Sequence, residues 1–261
     1  MTADGFIATI VEALALPASA RVDARVPKKM LVEQGAPTAA DKRAIQDGVD
    51  ELQWFAACKP STIGVPSFAD DKRDYLEIAI IGCAFRPAAK TVRLIELIHR
   101  AVPYPVLLIT ADASGVTISA AHKRKAQNEA DRVVIDHVVT TTRQRLDPTD
   151  AVQRAFLQSL SLAQQNRANL YALYSGWLSR IEALNAAQVS GAFVATDDST
   201  GISRRRAALD DHARLTKEIE SLRGKAKREK QLNRRVDLNM AIQRLEADLK
   251  LLLNDISGEM K

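Results

Sequence analysis

The stretch from Ile202 to Ile256 constrains the fold more than any other part of the chain. Ala208, Leu215 and Leu222 recur at intervals of seven, and Ile219 and Ala226 extend that line. A second line runs Leu238, Ile242, Leu245, Leu249, Leu252 and Ile256, with spacings of 4, 3, 4, 3 and 4. Such spacing predicts helices whose apolar seams need a facing helix, as in a coiled coil. Between the seams, Lys227 to Arg235 is almost wholly polar. Two geometries fit. One is a continuous helix of 55 residues, on the order of 80 Å long. The other is an antiparallel hairpin turning near residues 224–234. Gly224 favours a break, but no proline forces one, so the long helix, straight or kinked, is the expectation.

The same stretch holds the positive excess of the chain. From Ser203 to Lys250 there are 14 Lys/Arg against 8 Asp/Glu, whereas the whole chain carries only +5. The densest basic cluster is Arg204, Arg205 and Arg206 with Lys225, Lys227, Arg228, Lys230, Arg234 and Arg235. Lysine and arginine neutralise phosphates without reading bases, so DNA backbone is one candidate partner. A solvated helix exterior and an acidic protein partner are the alternatives. No aromatics interleave with these cations, which argues against stacking on single-stranded bases.

The preceding 200 residues read as an α+β body followed by helix. Ile7, Ile10, Val11 and Leu14 form one stripe, which Asp4 is placed to cap and Pro17 ends. Lys28 to Val32, between Pro27 and Gly35, reads as a short strand or extended arm. Thr38 followed by Asp41 resembles a cap for a helix through Ile45, Val49 and Leu52. Leu52 to Cys58 reads as a strand, and Ser61 to Asp71 as a loop. Leu76 to Ala84 is nearly all apolar, the signature of a strand buried on both faces. A helix over Val92–Ala101, a strand over Val106–Ile109, a turn at Ser114-Gly115 and an alternating partner through Ala120 follow. Arg132 to Val139 is a last strand. Beyond Pro148 the pattern is helical to Gln188.

The expected organisation is therefore an α+β domain over residues 1–145, with a mixed or antiparallel sheet and flanking helices. A helical extension covers 146–190, a linker 191–201 and the basic arm 202–261. No apolar run approaches the roughly 18 residues of a membrane span, and the first residues lack a secretory signal, so the expected compartment is the cytoplasm. Cys58 and Cys83 sit in apolar stretches and read as two buried thiols, with a redox pair as the alternative.

Candidate chemistry is sparse. His122-Lys123-Arg124-Lys125 closes a strand and is either a solvated end or a phosphate contact. His99 and Arg100 precede Pro103-Tyr104-Pro105, where they either cap a helix C-terminus or present an anion site or base. Asp70, Asp71, Asp74 and Glu77 border the buried strand, where Mg²⁺-dependent nucleases hold carboxylates. The triplet Glu77-Ile78-Ala79, however, lacks the lysine such sites carry. There is no Walker-type glycine loop, no nucleophile elbow and no zinc-ligand spacing. No cofactor or metal is expected, and the balance leans away from an enzyme.

Several segments together resemble a bacterial family known only as a domain of unknown function. They include Arg25-Val26-Pro27-Lys28-Lys29, Leu97 through the Pro103-Tyr104-Pro105 motif, and Lys227 through Asn239. The resemblance spans nearly the whole chain. It implies neighbourhood with SNF2-type helicases and DNA methyltransferases in phage-defence or restriction loci. The resulting expectation is a non-catalytic accessory subunit that docks a helicase or other subunit through Leu215, Ile219, Leu222 and the second seam, and contacts DNA backbone. A divergent Mg²⁺ nuclease and a self-assembling scaffold, with the arm paired to its own copy, are the alternatives.

Overall fold

A computed structural model describes residues 2–126 and 133–257, with side chains as far as residue 252 in the last helix. The chain parts into two compact units, Met1–Glu182 and Ala183–Lys261.

The first unit begins with helix α1 (Ala3–Ala13), strand β1 (Arg21–Arg25) and helices α2 (Lys28–Gly35) and α3 (Ala39–Gly48). Then come β2 (Val49–Cys58), the single turn α4 (Pro60–Ile63), and two short strands, β3 (Phe68–Ala69) and β4 (Asp74–Tyr75). Next are β5 (Ile78–Phe85), α5 (Thr91–Ala101), β6 (Val106–Asp112) and β7 (Gly115–Ala120). Short strands β8 (Lys123–Lys125), β9 (Val133–Ile135) and β10 (Val139–Thr140) precede α6 (Ala151–Ser159) and α7 (Leu170–Ser190). The chain ends in α8 (Ser199–Arg228) and α9 (Leu232–Ser257).

Six strands form one mixed sheet in the order β1-β2-β5-β6-β7-β10. Among the described residues, β5 and β6 alone pair in parallel, and α5 supplies the crossover that parallel neighbours require. All eight residues of β5 are buried, as the unbroken apolar run predicts. One face of β5, with Ala79, Ile81, Cys83 and Phe85, packs under Leu31 of α2, Ile45 of α3 and Leu94, Leu97 and Ile98 of α5. Helix α1 lies against β5, β6 and β7. Gly82 allows that approach: a Cβ there would fall 2.7 Å from Ile7 Cγ2 and 2.4 Å from the Phe55 ring.

Helix α7 is tied to the sheet by Tyr174, whose hydroxyl accepts from the Ala121 N–H at 2.9 Å and donates to the Val106 carbonyl at 2.8 Å. Trp177 is fully buried and donates from Nε1 to the Leu160 carbonyl at 2.9 Å. Asp150, two residues beyond Pro148, caps α6, accepting from the Val152 and Gln153 N–H groups.

Several local expectations are corrected. Thr2, not Asp4, caps α1, with its hydroxyl accepting from the Gly5 N–H. Lys28 to Val32 is helical, because Pro27 takes the cap position and Leu31 is buried against the sheet-facing core. The loop over 61–71 contains the end of α4 and strand β3. The Thr38 cap stands as read, its hydroxyl accepting from the Asp41 N–H at 3.1 Å and donating to Asp41 Oδ2 at 2.8 Å, but the helix it opens ends at Gly48, and Val49 and Leu52, expected on that helix, belong to β2. Arg132, the expected start of the last strand, lies outside the described residues. The strand over the remaining residues is split into β9 and β10.

In the second unit the expected long helix is corrected to an antiparallel hairpin. α8 ends at Arg228, α9 begins at Leu232, and the two helices run side by side. Ile219 and Ala226 pack with Ile242, flanked by Leu222, Leu238, Leu245 and Leu249. The two seams satisfy each other within one chain, which removes the apolar surface that a single long helix would leave in water. The polar stretch Lys227–Arg235 becomes the turn. At the other end, Ala186 and Val189 of α7 pack with Ala208, Leu209 and Leu252. Leu215 is buried at 7% exposure. The Ile256 side chain lies outside the described residues.

Candidate nucleic-acid interface

The two basic clusters of the sequence meet opposite fates. In the first unit, β8 pairs with β9 and draws the cluster His122–Lys125 into the body. Tyr75 Oη and His122 Nδ1 lie 2.6 Å apart and share a hydrogen bond. Arg124 pairs with Asp136 at 3.3 Å, and Arg73 reaches the same carboxylate at 3.4 Å. Lys125 bridges Asp74 at 3.0 Å and donates to the Asp70 carbonyl at 3.0 Å.

Lys123 is buried, 3% exposed. Its ammonium donates to the His99 carbonyl at 2.9 Å and to the Val102 carbonyl. These are among the orphan carbonyls of the α5 C-terminus, where a helix end carries partial negative charge. The lysine therefore closes α5 from a distant strand. Burial lowers its pKa from 10.5 to about 7. His99, fully buried, has Nε2 2.9 Å from Ser119 Oγ, while its Nδ1 has no hydrogen-bond partner. Desolvation first, and the neighbouring Lys123 charge second, lower its pKa from 6.5 to about 3, so His99 is neutral. Arg100 pairs with Glu96 on the helix surface. Of the two residues read as the cap of α5, His99 contributes its carbonyl rather than a cation. The capping charge comes from Lys123, and no local pattern marks it.

The acidic group near β5 is dispersed among separate partners. Asp70 accepts from the Lys72 and Arg73 N–H groups, which hold its carboxyl below the usual range. Asp74 is bridged to Lys125, and Glu77 Oε2 to Lys59 at 3.0 Å. Among the described residues, no group of three or more His, Cys, Asp or Glu side chains is placed to hold a metal ion. Cys58 and Cys83 are both buried free thiols, and burial pushes Cys58 up to about 12 and Cys83 higher still. Neither has the lowered pKa of a reactive thiolate.

In the second unit, Arg205 is buried and donates to the Val194 carbonyl at 2.7 Å, while Arg204 and Arg206 are exposed. At the hairpin turn the cations stand outward. Lys225, Lys227, Lys230, Arg234 and Arg235 are exposed, and none makes an ion pair among the described residues. Arg228 donates to the Gly224 carbonyl of its own helix at 3.0 Å. Glu229 is occupied locally, accepting from the Gln231 N–H at 2.8 Å. Lys225, Arg228, Glu229, Arg234, Asp237 and Leu238 line an open concavity of ≈ 540 Å³ at this tip. Between Lys225 and Asp237 there are six Lys/Arg and two carboxylates, so the tip presents a concentrated positive field to solvent.

Fold and surface together define a mixed-sheet α+β domain with a basic helical hairpin at its C-terminal end. The chain belongs to the family described as Domain of unknown function (DUF4391), whose model matches residues 14–249. No curated protein and no solved structure matches it. Among the described residues, no helix is long and apolar enough to cross a membrane.

Proposed function

We propose that this protein is a non-catalytic interaction subunit of a bacterial anti-phage defence or restriction-type complex, acting in the cytoplasm. Its hairpin docks a SNF2-type helicase or another subunit, and its tip contacts DNA backbone. The observation that supports this reading is the set of exposed cations at the turn, held by no carboxylate. Because α8 and α9 consume each other's seams, the tip owes nothing to packing. Its arginines and lysines are available to phosphates, which they neutralise with release of counterions. The resemblance of the Pro103-Tyr104-Pro105 and arm segments supports the defence setting. The metal-nuclease alternative draws less support, since Asp70, Asp74 and Glu77 are each engaged elsewhere.

Fluorescence anisotropy with labelled duplex DNA tests the contact. Affinity should fall steeply and log-linearly with salt and be indifferent to sequence. Affinity that is flat across salt excludes backbone binding. Co-purification with the neighbouring helicase tests the docking, and a hairpin-deleted chain should lose it. If neither DNA nor helicase is bound, the reading fails.

A further inference from the structure

The leading edge of the hairpin tip is not purely polar. Leu232, the first residue of α9, is 63% exposed and takes no part in the seam of Ile219, Ala226 and Ile242. It stands at the centre of the run Lys230-Gln231-Leu232-Asn233-Arg234, every member of which is exposed. The order along the chain is cation, amide, leucine, amide, cation.

Backbone geometry puts this run in front. In an α-helix each Cα–Cβ bond leans towards the helix N-terminus. The cations that end α8 therefore lean back along the hairpin, as Arg228 does in reaching the Gly224 carbonyl at 3.0 Å. Helix α9 starts at the tip, so its first turn leans past the end of the hairpin and carries Leu232, Asn233, Arg234 and Arg235 forward.

A duplex offers a matching set of groups: charged phosphates outside, hydrogen-bonding base edges within, and apolar base faces in the stack. Lysine and arginine hold phosphates, amides pair with base edges, and leucine is among the side chains that enter between base steps. Magnitudes decide which duplex fits. Burying one leucine that is already partly covered does not offset the unstacking of an intact step. Where the stack is already broken, most of that cost is absent, and damaged or unpaired positions are the least expensive to open.

We propose that the hairpin tip prefers duplex DNA with a gap in its base stack, Leu232 filling the gap while Lys230 and Arg234 hold the flanking phosphates. This rests on the backbone-binding reading above and adds to it the kind of DNA that is bound.

The test is anisotropy titration of the full-length protein with two labelled duplexes, identical except for one central abasic tetrahydrofuran analogue. The gapped duplex should bind about ten-fold more tightly. Leu232→Ala should reduce that preference to less than about two-fold while leaving affinity for the intact duplex and the helical circular dichroism unchanged, since Leu232 is a surface site. Leu232→Met should keep the preference, because methionine also enters base steps. Equal affinity for both duplexes overturns the proposal and leaves the backbone reading standing. Binding to neither duplex overturns both. A preference that survives Leu232→Ala overturns the assignment to this leucine.

Discussion

The body and the hairpin spend the same residue types in opposite ways. In the body, Lys123 is buried on the end of α5, Arg124 and Arg73 share Asp136, Lys125 holds Asp74, and Lys59 holds Glu77. At the hairpin tip, Lys225, Lys227, Lys230, Arg234 and Arg235 face solvent with no carboxylate. The difference follows from what lies beneath each cluster. At the strand end the fold brings carboxylates and the α5 carbonyls within reach of every cation, with Lys123 desolvated and Arg124 and Lys125 part-exposed in ion pairs. A turn between two helices zipped by aliphatic side chains is wet on its outer side and leaves its cations to solvent. A run of basic residues is therefore a poor guide to binding until its local packing is known.

The contrast can be broken at its cores first. Trp177→Ala removes the largest buried side chain of the body and should cost about 3–5 kcal/mol in urea unfolding. Ile242→Ala in the narrower hairpin seam should cost about 2 kcal/mol. Equal losses would mean that the two cores are not different in kind. Next come the cations. Replacing Lys225, Lys227, Lys230, Arg234 and Arg235 together by Gln should weaken DNA binding about a hundred-fold, roughly 2.7 kcal/mol. The pair Arg124→Gln and Lys125→Gln should change it less than about two-fold. Anisotropy titration reads both, and a larger loss from the strand pair would reverse the assignment.

Acid titration sharpens the burial half of the contrast. The folded state resists protonating His99 down to about pH 3, whereas the unfolded chain takes that proton near 6.5. Stability should thus fall as pH drops from 6.5 towards 3, by up to about 1.4 kcal/mol per pH unit from this group. Lys123 acts in the same sense at higher pH: its ammonium is lost near pH 7 when folded but near 10.5 when unfolded. Its contribution to stability therefore rises with pH from about 7 towards 10.5. His99→Gln and Lys123→Met should each flatten their own window, read by denaturation midpoints against pH. The smallest effect belongs to the exposed pair Arg223–Glu246 across the hairpin, 2.7 Å apart. Arg223→Ala should cost no more than about 1 kcal/mol and should vanish into noise at high salt.

Some of this was legible in the residues and some was not, for identifiable reasons. The Thr38–Asp41 cap and the wholly buried β5 were readable because a cap is a four-residue device and an unbroken apolar run leaves no polar face. Helix α2 was not. Pro27 and Gly35 bracket it like loop punctuation, and its helicity depends on burying Leu31 in a core assembled from α3, α5 and the sheet. The cations of β8 had no local signature of burial, since Asp136, Asp74 and the end of α5 come from elsewhere in the chain.

By itself, the sequence determined the class of the fold, the periodic seams of the arm and the place where its charge gathers. These depend on patterns within a few turns of chain. Tertiary structure alone decided that the seams close on each other, that Lys123 is a buried cap, and that the cations of the turn remain in water. Each of those outcomes depends on which distant groups meet, because the cost of desolvating a charge is set by its final neighbours and not by its position in the sequence.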